Sequence, residues 1–324
     1  MVIYVDNELV RELLPMKDCV QALEDAFRSE AQGVGDNLVR QTLYWPGGRF
    51  RLMAGSAPGF DTAGFKTYGG GVNLALVFSV SNNSLEAIME SRVLSELRTG
   101  AAGGLAAKYM AKDDASTIGI IGSGSQSKAQ VEAICAVRPI KYVKVFTRTA
   151  ENREPFAAEL DETFDLEAVA VTTAEECITD SDIIITATGS RNPVFEADWL
   201  TPGTHINAIG GTTPGRREID EATVGRCDVI VVENVAQAKV ECGELIMAEE
   251  RDTFQWSKAV EMKHLVSGVA GKRPSKESIT LFDGLGVAME DMAAAGVVLK
   301  KVKERGLGVE LPLESRGGAP HRVR

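Results

Sequence analysis

A glycine-rich turn at residues 122–127 is the first stretch whose residue types and spacing could do chemistry. The run GIIGSGSQSKAQ contains Gly122 and Gly124 in a G-x-G-x-x-S arrangement, after an apolar run and before a helical pattern. Such turns bind a dinucleotide pyrophosphate, because one glycine permits the tight turn and the other lets the backbone approach the phosphates. Glycine-rich turns also occur for structural reasons, but the strand–turn–helix context predicts a dinucleotide site.

The end of the next predicted strand indicates which dinucleotide is bound. The run VFTRTAENR places Thr147, Arg148 and Thr149 where NAD-binding proteins usually carry an acidic residue for the ribose 2′-hydroxyl. An arginine can pair with a 2′-phosphate, and threonines can donate hydrogen bonds to it. The alternative is a solvated arginine at a helix start. We predict NADP(H) in preference to NAD(H).

The run INAIGGTTPG, residues 206–215, predicts a buried strand that opens into a ligand-facing loop. The loop carries Thr212 and no adjacent carboxylate. A threonine hydroxyl cannot act as a base near neutral pH, so a reaction that needs a base at this point is disfavoured. His205, at the start of the strand, is expected to be structural.

Strand-like and helix-like runs alternate from about residue 116 and predict a parallel sheet covered on both faces. The first hundred or so residues instead show an amphipathic helix, a strand pair around a Pro-Gly-Gly turn, and a second strand pair joined at residues 81–84. This pattern predicts an antiparallel α+β unit. A long helix is predicted from about residue 286 to 305.

The predicted fold class is therefore α/β, a Rossmann-type doubly wound parallel sheet plus an α+β dimerisation and substrate domain. We place the Rossmann dinucleotide-binding domain at residues 114–289. The substrate-binding and dimerisation domain comprises residues 1–113 plus about 290–313, with the junction near residues 112–115. A disordered tail is expected at residues 314–324.

Composition narrows the class of protein. The chain has 324 residues, 44% of them hydrophobic and 25% charged, as in soluble globular proteins. Its net charge of -11 argues against nucleic-acid or acidic-membrane binding. No apolar run approaches a membrane span, and the N-terminus lacks the order of a signal peptide. Five scattered cysteines and three non-adjacent histidines predict a reduced, cytoplasmic protein without a metal site.

Several stretches together resemble the ornithine cyclodeaminase/μ-crystallin family, which includes archaeal alanine dehydrogenases and cyclic-ketimine reductases. They are RFRLMAG, GFKTYGG, LRTGAAGGLAAKYMA, IGSGSQS, TPGTHINAIG, RREID and LFDGLGVAMEDMAAA. The resemblance extends over about residues 51–298. It implies a homodimer whose smaller domain forms the interface, with the substrate lying over the nicotinamide.

The resemblance also implies roles for individual residues. Arg51 matches the family position that holds the substrate carboxylate, Lys66 matches a lysine beside the substrate, and Arg98 matches an arginine near substrate and cofactor. Thr99, at a predicted helix start, matches a contact to the cofactor phosphates. The alternatives are surface salt bridges for the cations and a helix cap for Thr99. The predicted cofactor-binding residues are Arg98, Thr99, Gly122, Gly124, Ser125, Gln126, Thr147, Arg148, Thr149, Thr188 and Gly210.

These cations fit the chemistry of a small α-imino or α-keto acid. A bidentate arginine suits its carboxylate, and an ammonium group can polarise its C=N or C=O bond. The family's cyclodeaminases and alanine dehydrogenases have an aspartate that acts on the amine where this chain has Thr212. Ketimine reductases lack that aspartate and share the arginine-bearing cofactor turn. Ala54 and Gly55 replace the usual Met-Pro-Ala, which leaves the shape of the substrate pocket open.

We therefore predict NADPH-dependent reduction of a cyclic α-imino acid, Δ1-pyrroline-2-carboxylate or Δ1-piperideine-2-carboxylate, to L-proline or L-pipecolate. Lys66 and Thr212 are the candidate catalytic residues, and either of them or a water would supply the proton. The alternatives are an alanine-type amino-acid dehydrogenase, a lyase (a cyclodeaminase or 3-hydroxyproline dehydratase), and a binding protein.

Overall fold

The computed structural model describes residues 2–69 and 71–313, so the tail predicted at 314–324 lies outside the described residues. The chain forms two compact units. The first contains the residues up to Arg98 and those from Gly286 onward, and the second is Thr99–Leu285. No helix in the described ranges has both the length and the apolarity that crossing a bilayer requires.

The strands, numbered in chain order, are β1 Val2–Val5, β2 Asp36–Asn37, β3 Gln41–Trp45, β4 Gly48–Ala57, β5 Thr62–Tyr68, β6 Leu74–Ser79, β7 Leu85–Glu90, β8 Thr117–Ile121, β9 Tyr142–Phe146, β10 Glu167–Ala170, β11 Ile183–Thr186, β12 His205–Ala208, β13 Val229–Val232, β14 Ala259–Glu261, β15 Thr280–Asp283 and β16 Val309–Leu311. The α-helices are α1 Asn7–Leu13, α2 Met16–Ala31, α3 Arg92–Met110, α4 Ser125–Cys135, α5 Arg153–Phe164, α6 Ala174–Ile178, α7 Glu221–Arg226, α8 Val235–Glu241, α9 Gly243–Glu250, α10 Met262–Val266 and α11 Ala288–Arg305.

The second unit is built on a sheet in the order β10-β9-β8-β11-β12-β15-β13-β14, in which every pair of neighbouring strands is parallel. Both faces are covered: Ile183 and Ile185 belong to one apolar core and Ile184 to another. Side chains of a strand alternate between the two faces of its sheet, so this split confirms the predicted doubly wound fold. The strand β15, the last of this sheet in chain order, lies between β12 and β13.

The first unit contains a mixed sheet in the order β16-β1-β7-β6-β5-β4-β2, with β3 paired to β4. The predicted hairpins around Pro46 and Ser81 are present as β3–β4 and β6–β7. Both predicted strand pairs are antiparallel, and β1, a strand that was not predicted, adds a parallel pairing with β7. These two strands are far apart in the chain, and the long intervening segment permits a parallel pairing that a hairpin cannot make.

The position of Thr99 in helix α3 differs from the one that the sequence predicted. The helix begins at Arg92, so Thr99 lies inside the helix rather than at its start, and a capping role is excluded. The division between the two compact units also falls inside this helix, whereas the junction was expected at residues 112–115, after the helix ends. The assignment of the units to substrate and cofactor remains a proposal.

Candidate active site

Two neighbouring strands of the first unit place the predicted substrate-binding residues on one face. In the register of β4 and β5, Arg51 pairs with Tyr68 and Met53 pairs with Lys66. Paired residues in a sheet point to the same face, so Arg51 and Lys66 are diagonal neighbours. The Arg51 guanidinium lies 5.8 Å and the Lys66 ammonium 5.5 Å from the centre of the Tyr68 ring. The structure therefore brings these two predicted residues together.

Helix α11 packs closely on the same face of the sheet. The Thr62 hydroxyl donates to the carbonyl of Met292 at 2.9 Å. A Cβ at Gly55 would lie 2.9 Å from the Met289 nitrogen, so glycine is what lets the helix backbone approach. The departure from the family pattern at Gly55 thus has a structural consequence, the close seating of α11.

That seating puts an acidic residue against Lys66. The Lys66 Nζ donates to Asp291 Oδ1 at 2.7 Å and to Ser95 Oγ at 3.0 Å. The exposed fractions of the Lys66 and Asp291 side chains are 2% and 0%. A surface salt bridge, the structural alternative for Lys66, is therefore excluded.

Burial sets the ionisation of this lysine. Desolvation and the Arg98 guanidinium lower the pKa of Lys66 to about 7, while the Asp291 carboxylate opposes them. A lysine with its pKa near neutrality can both give and take a proton at physiological pH, which suits general acid–base catalysis.

Arg98 belongs to the same buried cluster. Its Nη1 donates to Glu290 Oε2 at 2.8 Å and its Nε to Asp291 Oδ1 at 3.2 Å. Arg98 is 6% exposed, so its pairing is not a surface salt bridge. Arg51 differs: it is half-buried, and its side chain makes no hydrogen bond or ion pair with the described residues. Its guanidinium is available for a carboxylate from outside the chain.

The second unit presents the predicted dinucleotide turn with suitable geometry. Gly122 has φ +122°, and a Cβ there would lie 2.5 Å from the Ala187 carbonyl oxygen, so the turn requires glycine. Gly124 precedes α4 without a side-chain cap, and nothing lies within 4 Å of a Cβ built on it. Ser125 is exposed beside it. The open helix N-terminus fits the phosphates of a dinucleotide.

Gln126, in the first turn of α4, supplies a second sign of this fit. Its buried Oε1 has no hydrogen-bond partner among the described residues. Native proteins seldom leave such an atom unpaired, so a bound polar group is the natural partner. The Thr99 carbonyl accepts from Gln130 Nε2 at 2.8 Å, which links α3 to α4.

The residues after β9 lie at the surface. Arg148 and Thr149 are exposed and Thr147 is half-buried, and Arg148 makes no hydrogen bond or ion pair with the described residues. Arg153, which was not identified from the sequence, lies over the Phe146 ring at 4.5 Å and donates to the Thr147 carbonyl at 2.6 Å. Arg153 therefore stabilises the turn after β9, and the Arg148 side chain is available for a ligand.

Glu218 organises the loops that carry Thr188, Gly210 and Thr212. Its carboxylate accepts from the Thr188 N–H and, at 2.6 Å, from the Gly210 N–H. Glu218 thereby ties together the ends of β11 and β12, where the ligands of parallel sheets bind. The Thr212 hydroxyl makes no hydrogen bond with the described residues. Glu218 lies in the RREID stretch, which is part of the family resemblance, but no role for Glu218 was predicted from the sequence.

A buried acidic cluster near the same sheet edge was also missed. Ligand atoms of Cys242, Glu244 and Asp283 lie within 4.8 Å of one another, a spacing at which a cation could bind. Burial, however, raises the pKa of Asp283 to about 7 and that of Glu244 well above its ordinary value. The Cys242 thiol donates to Asp283 at 3.0 Å. Protonated carboxyls explain this cluster without an ion, and we assign it no metal.

His205 is fully buried and linked to its neighbours, as expected of a structural residue. Its ring nitrogens lie 2.9 Å from the Thr280 hydroxyl and 3.0 Å from Asn207 Oδ1. Burial lowers the pKa of His205 to about 3, so the ring is neutral at physiological pH. Asn207 in turn donates to Gln130 at 3.2 Å, which connects the sheet to α4.

Known proteins are similar to this chain in sequence and in fold. A sequence model described as the ornithine cyclodeaminase/mu-crystallin family matches residues 3–306. A Δ1-pyrroline-2-carboxylate reductase of Bacillus cereus is 36% identical over 223 residues, 68% of each chain.

Two solved structures superpose on nearly the whole chain. The Thermococcus litoralis Δ1-pyrroline-2-carboxylate reductase in complex with NADH and L-proline is 28% identical, with a TM-score of 0.90 over 95% of this chain and 100% of that one. An archaeal alanine dehydrogenase dimer with bound NAD is 31% identical, with a TM-score of 0.90 over 97% and 99%. These relatives confirm a nicotinamide-dependent oxidoreductase at the level of the family. The chain belongs to the ornithine cyclodeaminase/mu-crystallin family.

Proposed function

We propose that this protein reduces a small cyclic α-imino acid, Δ1-pyrroline-2-carboxylate or Δ1-piperideine-2-carboxylate, to L-proline or L-pipecolate with NADPH. The observation that carries the proposal is the buried lysine of the first unit. Lys66 has a pKa near 7 and shares one face of the sheet with Arg51, whose guanidinium makes no hydrogen bond or ion pair with the described residues. An anionic substrate with a C=N bond matches both groups.

The substrate carboxylate pairs with Arg51, because a guanidinium binds a carboxylate through two parallel hydrogen bonds. When bound, the reduced nicotinamide would supply the hydride that the imine carbon needs. Lys66 holds its ammonium towards the imine nitrogen and polarises the C=N bond. As the carbon is reduced, one N–H bond of Lys66 breaks and an N–H bond forms on the substrate. The neutral lysine then takes a proton from solvent.

Thr212 has the narrower role of a hydrogen-bonding group. Its hydroxyl is free to bind a ligand, but it cannot remove a proton from an amine near neutral pH. This chemistry supports imine reduction over cyclodeamination, which needs a base at that position.

The preference for NADPH rests on Arg148. Its exposed side chain makes no hydrogen bond or ion pair within residues 2–69 and 71–313, and no acidic neighbour takes the place of the usual ribose-binding carboxylate. The bound cofactors of the two related structures are NADH and NAD, so this preference is a property that we propose for this chain.

The first experiment is to follow NADPH oxidation with Δ1-pyrroline-2-carboxylate, in parallel with NADH and with pyruvate plus ammonia. We expect the imine to be reduced, faster with NADPH. Lys66→Met should lower kcat by about 10²–10⁴-fold, as expected for loss of a general acid. Thr212→Val is the matched control and should retain most of the activity. If kcat fell in Thr212→Val and not in Lys66→Met, the proton donor would be Thr212 rather than Lys66.

The parallel assays separate the other activities. Consumption of NADPH only with pyruvate and ammonia would make the protein an amino-acid dehydrogenase, as the similarity to an alanine dehydrogenase allows. Product formed from ornithine or 3-hydroxyproline without net cofactor consumption would make it a lyase. Either outcome would overturn the proposal.

We also propose that the protein is a cytoplasmic homodimer that associates through the first unit. Apolar side chains are exposed in and before β3, namely Leu38, Leu43, Tyr44 and Trp45. Exposed apolar patches of this kind mark protein interfaces. The five cysteines, all within the described ranges, form no disulfide with one another, which supports a reducing compartment. Light scattering should give twice the chain mass, and Tyr44→Glu should shift it towards the monomer; a wild-type monomer at micromolar concentration would contradict the proposal.

A further inference from the structure

We propose that Asp291 is a positioning residue that keeps the Lys66 ammonium charged and aimed during the reaction. This inference rests on the proposed imine reduction. It adds a residue from the far end of the chain to the site, because Asp291 lies in the first turn of α11 and Lys66 lies on β5.

The geometry fits a carboxylate dedicated to this lysine. Asp291 Oδ1 accepts from Lys66 Nζ at 2.7 Å and from Arg98 Nε at 3.2 Å, while its buried Oδ2 has no partner among the described residues. Glu290, the preceding residue, holds Arg98 independently through Nη1 at 2.8 Å. Arg98 therefore keeps an acidic partner when Asp291 is changed, whereas Lys66 keeps only its hydrogen bond to the neutral Ser95 hydroxyl at 3.0 Å.

The surroundings of Lys66 otherwise disfavour its charge. The charged and polar groups that face it from neighbouring elements are Arg40 before β3, Arg51 on β4, Tyr68 on β5, Ser95 and Arg98 on α3, and Glu290 and Asp291 on α11. Burial and the Arg98 and Arg40 cations lower the pKa of Lys66, and Asp291 raises it through its charge and its hydrogen bond. Asp291→Asn removes that charge while preserving shape.

The substitution should shift pH profiles rather than only lower rates. Imine reduction requires the charged lysine and declines as pH rises through its pKa, whereas L-proline oxidation requires the neutral lysine and increases. Both profiles of kcat/KM report the free enzyme. In Asp291→Asn we expect both midpoints to move to lower pH by about one unit or more, a tenfold change in proton affinity.

A matched control exists on the surface of the same unit. Asp18 pairs with Lys301 of α11 at the same Nζ–Oδ distance, 2.7 Å, but the two side chains are 48% and 26% exposed. Asp18→Asn makes the same chemical change at a solvated pair, where an ion pair contributes little. We expect its profiles to match those of the wild type.

A direct titration keeps the test independent of activity. In protein labelled with ¹³C at lysine Cε, the Lys66 signal is the one missing from Lys66→Met, and its midpoint should fall in Asp291→Asn. An unchanged midpoint, or a rate lowered equally at every pH, would overturn the role of Asp291. A wild-type protein that never oxidises NADPH with an imine, yet shows the shifted lysine signal, would instead overturn the proposed function alone.

Discussion

Arg148 provides the sharpest test of cofactor choice. We expect Arg148→Ala to weaken NADPH strongly and NADH hardly at all, because only NADPH carries the 2′-phosphate. The side chain is exposed after β9, so the water value of about 1 kcal/mol for two unit charges 4 Å apart is appropriate. A phosphate monoester carries a charge of about -1.5 to -2 at neutral pH, which gives roughly 2 kcal/mol. That energy corresponds to about a 30-fold change in binding.

The assay is kcat/KM for each cofactor at saturating imine. Lys141→Ala is the control, since it removes the same charge from the opposite end of β9, where Lys141 is also exposed. The 30-fold loss should also shrink in about 1 M salt, where charges are screened within about 3 Å. Equal losses for NADPH and NADH, or no loss for either, would refute the reasoning and return Arg148 to the status of a solvated surface residue.

Two further predictions concern stability. Gly55→Ala should lower the free energy of unfolding by about 1–3 kcal/mol in urea, because the new methyl group would press on the backbone of α11. Gly59→Ala is the control, because Gly59 likewise has no positive φ and its new methyl group would meet only the Ser29 hydroxyl, at 3.7 Å. Asp283 has a pKa of about 7 in the folded state and about 4 in the unfolded state, so the folded protein keeps this proton to higher pH. The contribution of Asp283 to the free energy of unfolding therefore falls as the pH rises through this range. Asp283→Asn cannot titrate and should lose less stability than the wild type, by about 1–3 kcal/mol, between about pH 5 and pH 7; equal losses would contradict the buried carboxyl.

The sequence predicted those parts of the molecule that depend on neighbours in the chain. The turn at Gly122 was identifiable because strand, glycines and helix are consecutive, and the alternation of strands and helices was enough for the parallel sheet. The position of β15 between β12 and β13 could not be predicted in this way, because its pairing depends on which strand edges remain open after folding. Lys66 was identified only through a resemblance, and its partner Asp291 lies 225 residues away.

One local signal could have found the acidic half of the cluster. In the run AMEDMAAA, Glu290 and Asp291 are the only charged residues of an otherwise apolar helical stretch. Charged residues are almost never fully buried without a partner, so two acids on a helix buried all round imply buried cations elsewhere. The sequence could not say which cations, since that choice depends on how closely Gly55 lets α11 approach the sheet.

The same cluster argues for function over stability. Desolvating Lys66, Arg98, Glu290 and Asp291 is unfavourable, and buried ion pairs of this kind are often no more stabilising than apolar residues of similar size. Apolar side chains in these positions would therefore fold at least as well. Apolar side chains could not provide a lysine with a pKa near 7 beside Arg51, whose guanidinium has no ion-pair partner among the residues that the structure describes. The energetic penalty of burying these charges is accounted for if the chain needs a proton donor at neutral pH, and an imine nitrogen is a group that needs one.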